Sequence, residues 1–237
     1  MAFTFFFRDA ETLELAVAEA LPDLRGRAFI HVWDAGCAHG PEPYTLAILL
    51  RERMSDFIFR NVRIHATDVD ATFAERVRGG IFAAGEIQRV PPKIVDRYFR
   101  PAATPGFVEV VPELRAKIEF SVHDLLCGRP IREGLSMVVC KNVLLHFEEA
   151  QRIEVLRMFH TAMQPGGVLV MEHTQKLPPG LTPYFRQVAP HAQVYRKLDP
   201  VFAGHVAEPA ASPHVHESAP HSKEHRVGAA VVLPPQL

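Results

Sequence analysis

Apolar residues recur along this chain at two different periods. Leu13, Val17, Ala20 and Leu21 share one side of a 3.6-residue repeat, which predicts an amphipathic helix opened by Asp9 and closed by Pro22. Phe29-Ile30-His31-Val32-Trp33 is instead a short apolar run that ends at Asp34-Ala35-Gly36-Cys37-Ala38-His39-Gly40. Residues 42–50 follow with helical character, so the segment reads as strand, glycine turn, helix. A second strand spans residues 62–67 and ends at Asp68, and a helix over residues 71–78 stops at Gly79-Gly80.

A proline-interrupted helical stretch then ends at Arg97-Tyr98-Phe99. A loop with Pro101, Pro105 and Gly106 leads to two β-rich segments, residues 107–111 and 117–122. Residues 136–140 and 168–171 are apolar enough to be fully buried strands, separated by a helix over residues 148–163 and a turn at Pro165-Gly166-Gly167. Strands that alternate with helices and are apolar on both faces predict an α/β domain whose doubly wound sheet is mostly parallel, with right-handed crossovers. Beyond Leu198 the residues turn to Pro, Ala, Ser and His without apolar period, the composition of a disordered C-terminal tail. The expected organisation is an N-terminal segment and helix over residues 1–25, one domain over 26–200, and the tail over 201–237. Residues 205–237 should therefore be dispensable for folding and ligand binding, and truncation after Leu198 tests the boundary; a substantial drop in melting temperature would show that the tail packs on the domain.

Composition changes this picture little. Of 237 residues, 48% are hydrophobic and 22% charged, the balance of an ordinary globular domain large enough to hold its own core. A formal net charge of -1 supplies no broad positive field for nucleic acid or anionic lipid. Cys37, Cys127 and Cys140 fall far apart without a C-x-x-C pair, which speaks against both a disulfide framework and a cysteine zinc site and fits a reducing cytoplasm. No stretch approaches the ~20 apolar residues of a membrane span, and the short run Phe3-Thr4-Phe5-Phe6-Phe7 is no signal-peptide core.

In an open parallel sheet, ligands bind at the carboxyl ends of the strands. The Gly36 turn has the small residues that let a ligand approach the backbone, although such turns also serve packing alone. Asp68, 68 − 36 = 32 residues after Gly36, can accept from both hydroxyls of a ribose, or equally cap a helix. Asp124 can reach an adenine amine or act as a cap. Asn142 can donate and accept near the polar end of a ligand, or sit in a surface turn.

These segments together resemble the CheR family of chemotaxis-receptor glutamate O-methyltransferases. Phe6-Phe7-Arg8-Asp9 is similar to the family's FFR-acid opening, Gly40-Pro41-Glu42-Pro43-Tyr44-Thr45 to G-x-E-P-Y-S, and Ala66-Thr67-Asp68-Val69-Asp70 to T-D-I-D. Gly80-Ile81-Phe82 through Arg97-Tyr98-Phe99 resembles the G-x-Y to R-Y-F stretch. Residues 140–147 resemble C-R-N-V-L-I-Y-F, while residues 165–169 and 172–175 resemble P-G-G-x-L and G-H-S-E. The resemblance holds in order and spacing from about Thr4 to about Leu198. It implies a Rossmann-like class I fold with S-adenosylmethionine as cofactor and a protein substrate, a chemoreceptor-like signalling protein, with neither nucleic acid nor membrane insertion. The cofactor would be held by Thr4, Arg8, Gly36, Glu42, Asp68, Asp124, Leu125 and Asn142. Arg8 would meet its carboxylate and Glu42 its ammonium group, both charge-assisted bonds. The residues nearest the chemistry would be Arg8, Lys141 and His146, and Phe5-Phe6-Phe7 would anchor the N-terminal segment against the sheet edge.

Three departures qualify what the resemblance implies. Arg8 stands so near the start that the family's N-terminal helical domain is expected to be missing. Residues 100–106 lack the glycine-rich hairpin tip that some members dock on a receptor tail. Lys141 and His146 replace the family's arginine and tyrosine. A domain that holds the cofactor or its demethylated product without turnover, or a methyltransferase with another substrate, therefore stays open beside glutamate methylation. A metal site in the tail at His214, His216, His221 and His225 ranks below a solvated tail. His31, His65, His123 and His173 read as structural residues on different strands.

Overall fold

The computed structural model describes residues 4–199. The predicted tail beyond Asp199 and its four histidines lie outside the described residues. Among the described residues ten strands form two sheets: β1 Ile30–Ala35, β2 Val62–Asp68, β3 Ile81–Ala83, β4 Phe99–Pro101, β5 Phe107–Val110, β6 Ile118–Val122, β7 Leu135–Cys140, β8 Met163–Met171, β9 Phe185–Ala189 and β10 Ala192–Lys197. Seven helices accompany them: α1 Ala10–Leu24, α2 Pro41–Arg53, α3 Asp56–Phe59, α4 Ala74–Gly79, α5 Pro92–Tyr98, α6 Pro112–Arg115 and α7 Glu149–Ala162.

The main sheet has the order β6-β2-β1-β7-β8-β10-β9. Its first five strands are parallel, and β10 and β9 add an antiparallel ribbon at one edge. The chain leaves β1 towards β2 and β6 and then returns to β7 on the other side, so the topological switch point lies between β1 and β7. Successive strand residues point to opposite faces, and two apolar clusters follow from that alternation. Ile30, Val32, Ile64, Val139 and Val170 pack beneath α1 and α2, while Trp33, Val138, Cys140 and Leu169 pack with Phe159 of α7. This is a doubly wound α/β fold, its sheet mostly parallel.

Several local expectations change. The first helix does not end at Pro22 but runs to Leu24, because Leu24 is buried and holds the last turn on the core despite the lost N–H. Asp9 does not cap α1; its backbone is left-handed (φ 51°) and its carboxylate turns to Lys141. Pro165-Gly166-Gly167 is not a turn between elements but a bulge within β8, between the pairs Leu135↔Met163 and Met137↔Val168. The two β-rich segments separate: β5 joins β3 and β4 in a small antiparallel sheet, and only β6 enters the main sheet. The phenylalanine run is not anchored on the main sheet's edge. Phe6 alone is fully buried, edge-on to Phe82 of β3 and Phe99 of β4 at 4.8 and 5.3 Å between ring centroids.

Helix alternation is also incomplete, since only a 3-10 turn, Leu125–Cys127, links β6 to β7. His31, His65 and exposed Glu119 consequently sit side by side on a half-open sheet face. His31 Nδ1 and His65 Nε2 are 3.1 Å apart, a bond that needs one donor and one acceptor. Burial, then the Arg132 charge, lowers both imidazoles to about 4. A depressed folded value means the unfolded chain binds protons first, so the stability they hold is present above about 6.5 and lost as pH falls towards 4. Thermal melts across that window should show a falling midpoint, and a His31→Gln, His65→Gln double variant should show a shallower slope. An unchanged slope would remove this pair as the cause.

Candidate active site

The carboxyl ends of β1, β2, β6 and β7 surround a cavity of about 660 Å³ at the switch point. The ten residues singled out in the sequence, Thr4, Arg8, Gly36, Glu42, Asp68, Asp124, Leu125, Lys141, Asn142 and His146, all line it. They come from the N-terminal segment, the β1–α2 turn and the ends of β2, β6 and β7.

The β1–α2 turn is shaped by backbone geometry. Gly36 and Gly40 have φ of 94° and 110°, and Ala38 between them has φ 49°. Gly36 cannot be replaced without strain, because a Cβ there would stand 2.1 Å from Val143 Cγ2. The N–H groups of Gly36 and Cys37 both donate to the Thr67 carbonyl, at 2.8 and 2.9 Å. Asp68 completes the tie: its Oδ2 accepts from Ala38 N at 2.9 Å and its Oδ1 from Asp70 N at 3.1 Å. It therefore caps no helix; Asp70 does that, accepting from Thr72 N at 2.9 Å. Each Asp68 oxygen keeps a lone pair for a further donor.

Asp124 is a cap, and it also stands at the cavity wall. Oδ1 caps the 3-10 turn by accepting from Leu126 N at 2.9 Å, while the residue lines the cavity beside buried Leu125. Asn142 has φ 59°, a left-handed conformation that asparagine tolerates, and its N–H donates to Glu172 Oε2 at 3.1 Å. Glu172, buried at the end of β8, was given no role from the sequence; its place at another strand end is the signal that could have found it. Burial raises its carboxyl above the ordinary value, opposed by its backbone hydrogen bonds.

Lys141 lies under the cavity. Its Nζ is 3.1 Å from Glu42 Oε2, 3.1 Å from Asp9 Oδ2 and 3.2 Å from the Arg8 carbonyl, and its side chain is 1% exposed. Burial alone would lower the ammonium, but Glu42 and then Asp9 outweigh it and hold it above its usual value. The lysine thus ties the N-terminal segment to the start of α2. His146, by contrast, is exposed at the rim. Phe7 N donates to Thr45 Oγ1 at 3.1 Å, and with Phe6 buried this places Thr4 and Arg8 over the cavity. His123 also lines the pocket, edge-on to Trp33, whereas His173 is exposed and does not. Among the described residues no group of three His, Cys, Asp or Glu side chains is placed to hold a metal, and no helix is long and apolar enough to cross a membrane.

Among known proteins, the chain is similar over 179 residues to chemotaxis protein methyltransferase 2 of Vibrio cholerae, with 27% identity covering 73% of this chain and 62% of that protein. Over 175 residues it is 30% identical to the chemotaxis protein methyltransferase of Escherichia coli, covering 73% of this chain and 60% of that protein. It thus spans about three fifths of the length of these relatives. The family described as CheR methyltransferase, SAM binding domain, matches residues 2–194. This chain belongs to the CheR family of S-adenosylmethionine-binding methyltransferase domains.

Proposed function

We propose that this protein is an S-adenosylmethionine-dependent methyltransferase that esterifies glutamate side chains of a protein in a chemotaxis-like signalling system, its partner being a chemoreceptor-like protein. In this reading residues 26–200 are the methyltransferase domain and residues 1–25 an N-terminal segment and helix, of which Thr4 and Arg8 close on the pocket. One observation carries the proposal: five separate chain segments converge on a single cavity at the switch point of the sheet.

The residues present suit the cofactor. Asp68 keeps lone pairs for ribose hydroxyls, Leu125 offers an apolar shelf and Asp124 an acceptor for an adenine, and Glu42 an anionic partner for an ammonium. Arg8 would take the carboxylate and Asn142 the neighbouring polar atoms. The bound cofactor supplies an electrophilic methyl group. A glutamate acceptor is already ionised at neutral pH, so the protein needs no general base and contributes alignment and exclusion of water. Lys141 acts here as a positioning residue through Glu42 and Arg8, and His146 faces the side from which an acceptor would enter. The buried engagement of Lys141, where the family has arginine, favours a second reading in which the domain binds cofactor or product without turnover.

Calorimetry with S-adenosylmethionine and its demethylated product, followed by transfer of a tritiated methyl group to proteins of a cell extract, separates the readings. Binding with label released as volatile methanol by alkali supports glutamate esterification. Alkali-stable label points to another acceptor, binding without transfer to the scaffold reading, and absence of binding overturns both.

A further inference from the structure

Beneath the cavity lies a carboxyl group that the proposed chemistry does not use. Asp34, at the end of β1, is 0% exposed, and neither of its oxygens meets a donor. The side chain that Asp34 does meet within hydrogen-bonding reach is the Glu42 carboxyl. Two ionised carboxylates accept only, so such a contact holds only when one of them carries a proton. Glu42 is the one paired with the Lys141 ammonium, at 3.1 Å. The proton therefore belongs on Asp34.

We propose that Asp34 is a protonated positioning residue that donates to Glu42 and fixes its carboxylate towards the ammonium group of the cofactor. This rests on the cofactor site proposed above. The charged and titratable groups that face Asp34 agree with it. Glu42 on α2 and Asp68 at the end of β2 repel a second negative charge, and Lys141 after β7 offsets only part of that. Burial, and after it the nearby carboxyl groups, raise the thiols of Cys37 and Cys140 and keep both neutral. Burial, followed by Glu42, raises the Asp34 carboxyl well above its ordinary value of 3.8. Glu42 thus presents one negative charge, held from one side by Lys141 and from the other by a neutral acid.

The sign of the linkage makes the proposal testable without ligand. An acid raised in the folded state gives stability that is full below its unfolded value and is lost as pH rises through its folded value. Asp34→Asn keeps a donor towards Glu42 but cannot ionise. Its melting midpoint should exceed that of the wild type by about 3 °C or more at pH 8, since one pKa unit of linkage moves a domain of this size by a few degrees. The gap should close towards pH 4. A variant less stable than wild type at pH 8 would overturn the proposal, because it would show an ionised Asp34 paired with Lys141. Infrared difference spectra of the two proteins supply a second measurement: the carbonyl stretch of a protonated carboxyl should be lost in Asp34→Asn, and its absence from the wild type overturns the proposal. Calorimetry with S-adenosylhomocysteine then reads the positioning itself. Asp34→Leu, which leaves Glu42 without that donor, should bind about ten-fold more weakly than Asp34→Asn. Equal affinities of the two variants sink the positioning role, whereas a wild type that does not bind at all sinks the cofactor reading and leaves the melting result standing.

Discussion

Replacing Asp68 with alanine is expected to weaken binding of S-adenosylhomocysteine by about 10- to 100-fold, the loss of hydrogen bonds made by a charged acceptor. The structure gives the residue two functions that this variant removes together. Its oxygens face a cavity where ribose hydroxyls would donate, and Oδ2 also latches Ala38 N, tying the β1–α2 turn to the end of β2. Asp68→Asn separates them, because the amide oxygen still accepts from Ala38 while the charge is gone, so it should lose less than alanine. Adenosine carries the same ribose and should lose affinity for Asp68→Ala in parallel with the full ligand. Unchanged affinity in a folded Asp68→Ala protein would remove the ribose assignment.

The sheet was legible because its parallel strands are buried on both faces. Leu135–Cys140 is buried at every position, and such a run has few other readings than a central strand. The lining of the cavity was legible for a related reason, since strand ends meet at the switch point, and Asp68, Asp124 and Asn142 are polar residues following apolar runs. What escaped has little periodic signature. β9 and β10 turn back through Pro190-His191, without an Asn-Gly or Asp-Gly to mark the hairpin, and β3 and β4 are three residues each. The left-handed backbones at Phe7, Asp9, Ala38 and Asn142 are invisible to propensity, because tertiary contacts impose them on non-glycine residues. Asp34 shows the limit from the other side. Its letter is as readable as that of Asp68, and only the fold reveals that its carboxyl faces inward with no donor.

Arg8 offers the test that distinguishes a pocket closed by the N-terminal segment from one made by strand ends alone. Phe7 and Asp9 on either side of it have φ of 59° and 51°, and each left-handed non-glycine residue costs on the order of 1–3 kcal/mol. That strain is offset next door: burying Phe6 against Phe82 and Phe99 stabilises by about 1.5–3 kcal/mol, and the Asp9–Lys141 pair and the Phe7–Thr45 bond add to it. Backbone strain held by surrounding contacts around one cavity-lining arginine points to that arginine as the reason for the conformation. Arg8→Ala should therefore weaken S-adenosylhomocysteine about ten-fold or more, the loss of a charge-assisted bond to the ligand carboxylate. Adenosine has no carboxylate and should bind the variant and the wild type alike, in contrast to its behaviour with Asp68→Ala. Isothermal calorimetry with both ligands decides the matter: parallel losses would make the segment only structural, and no loss for either would place the arginine outside the binding site.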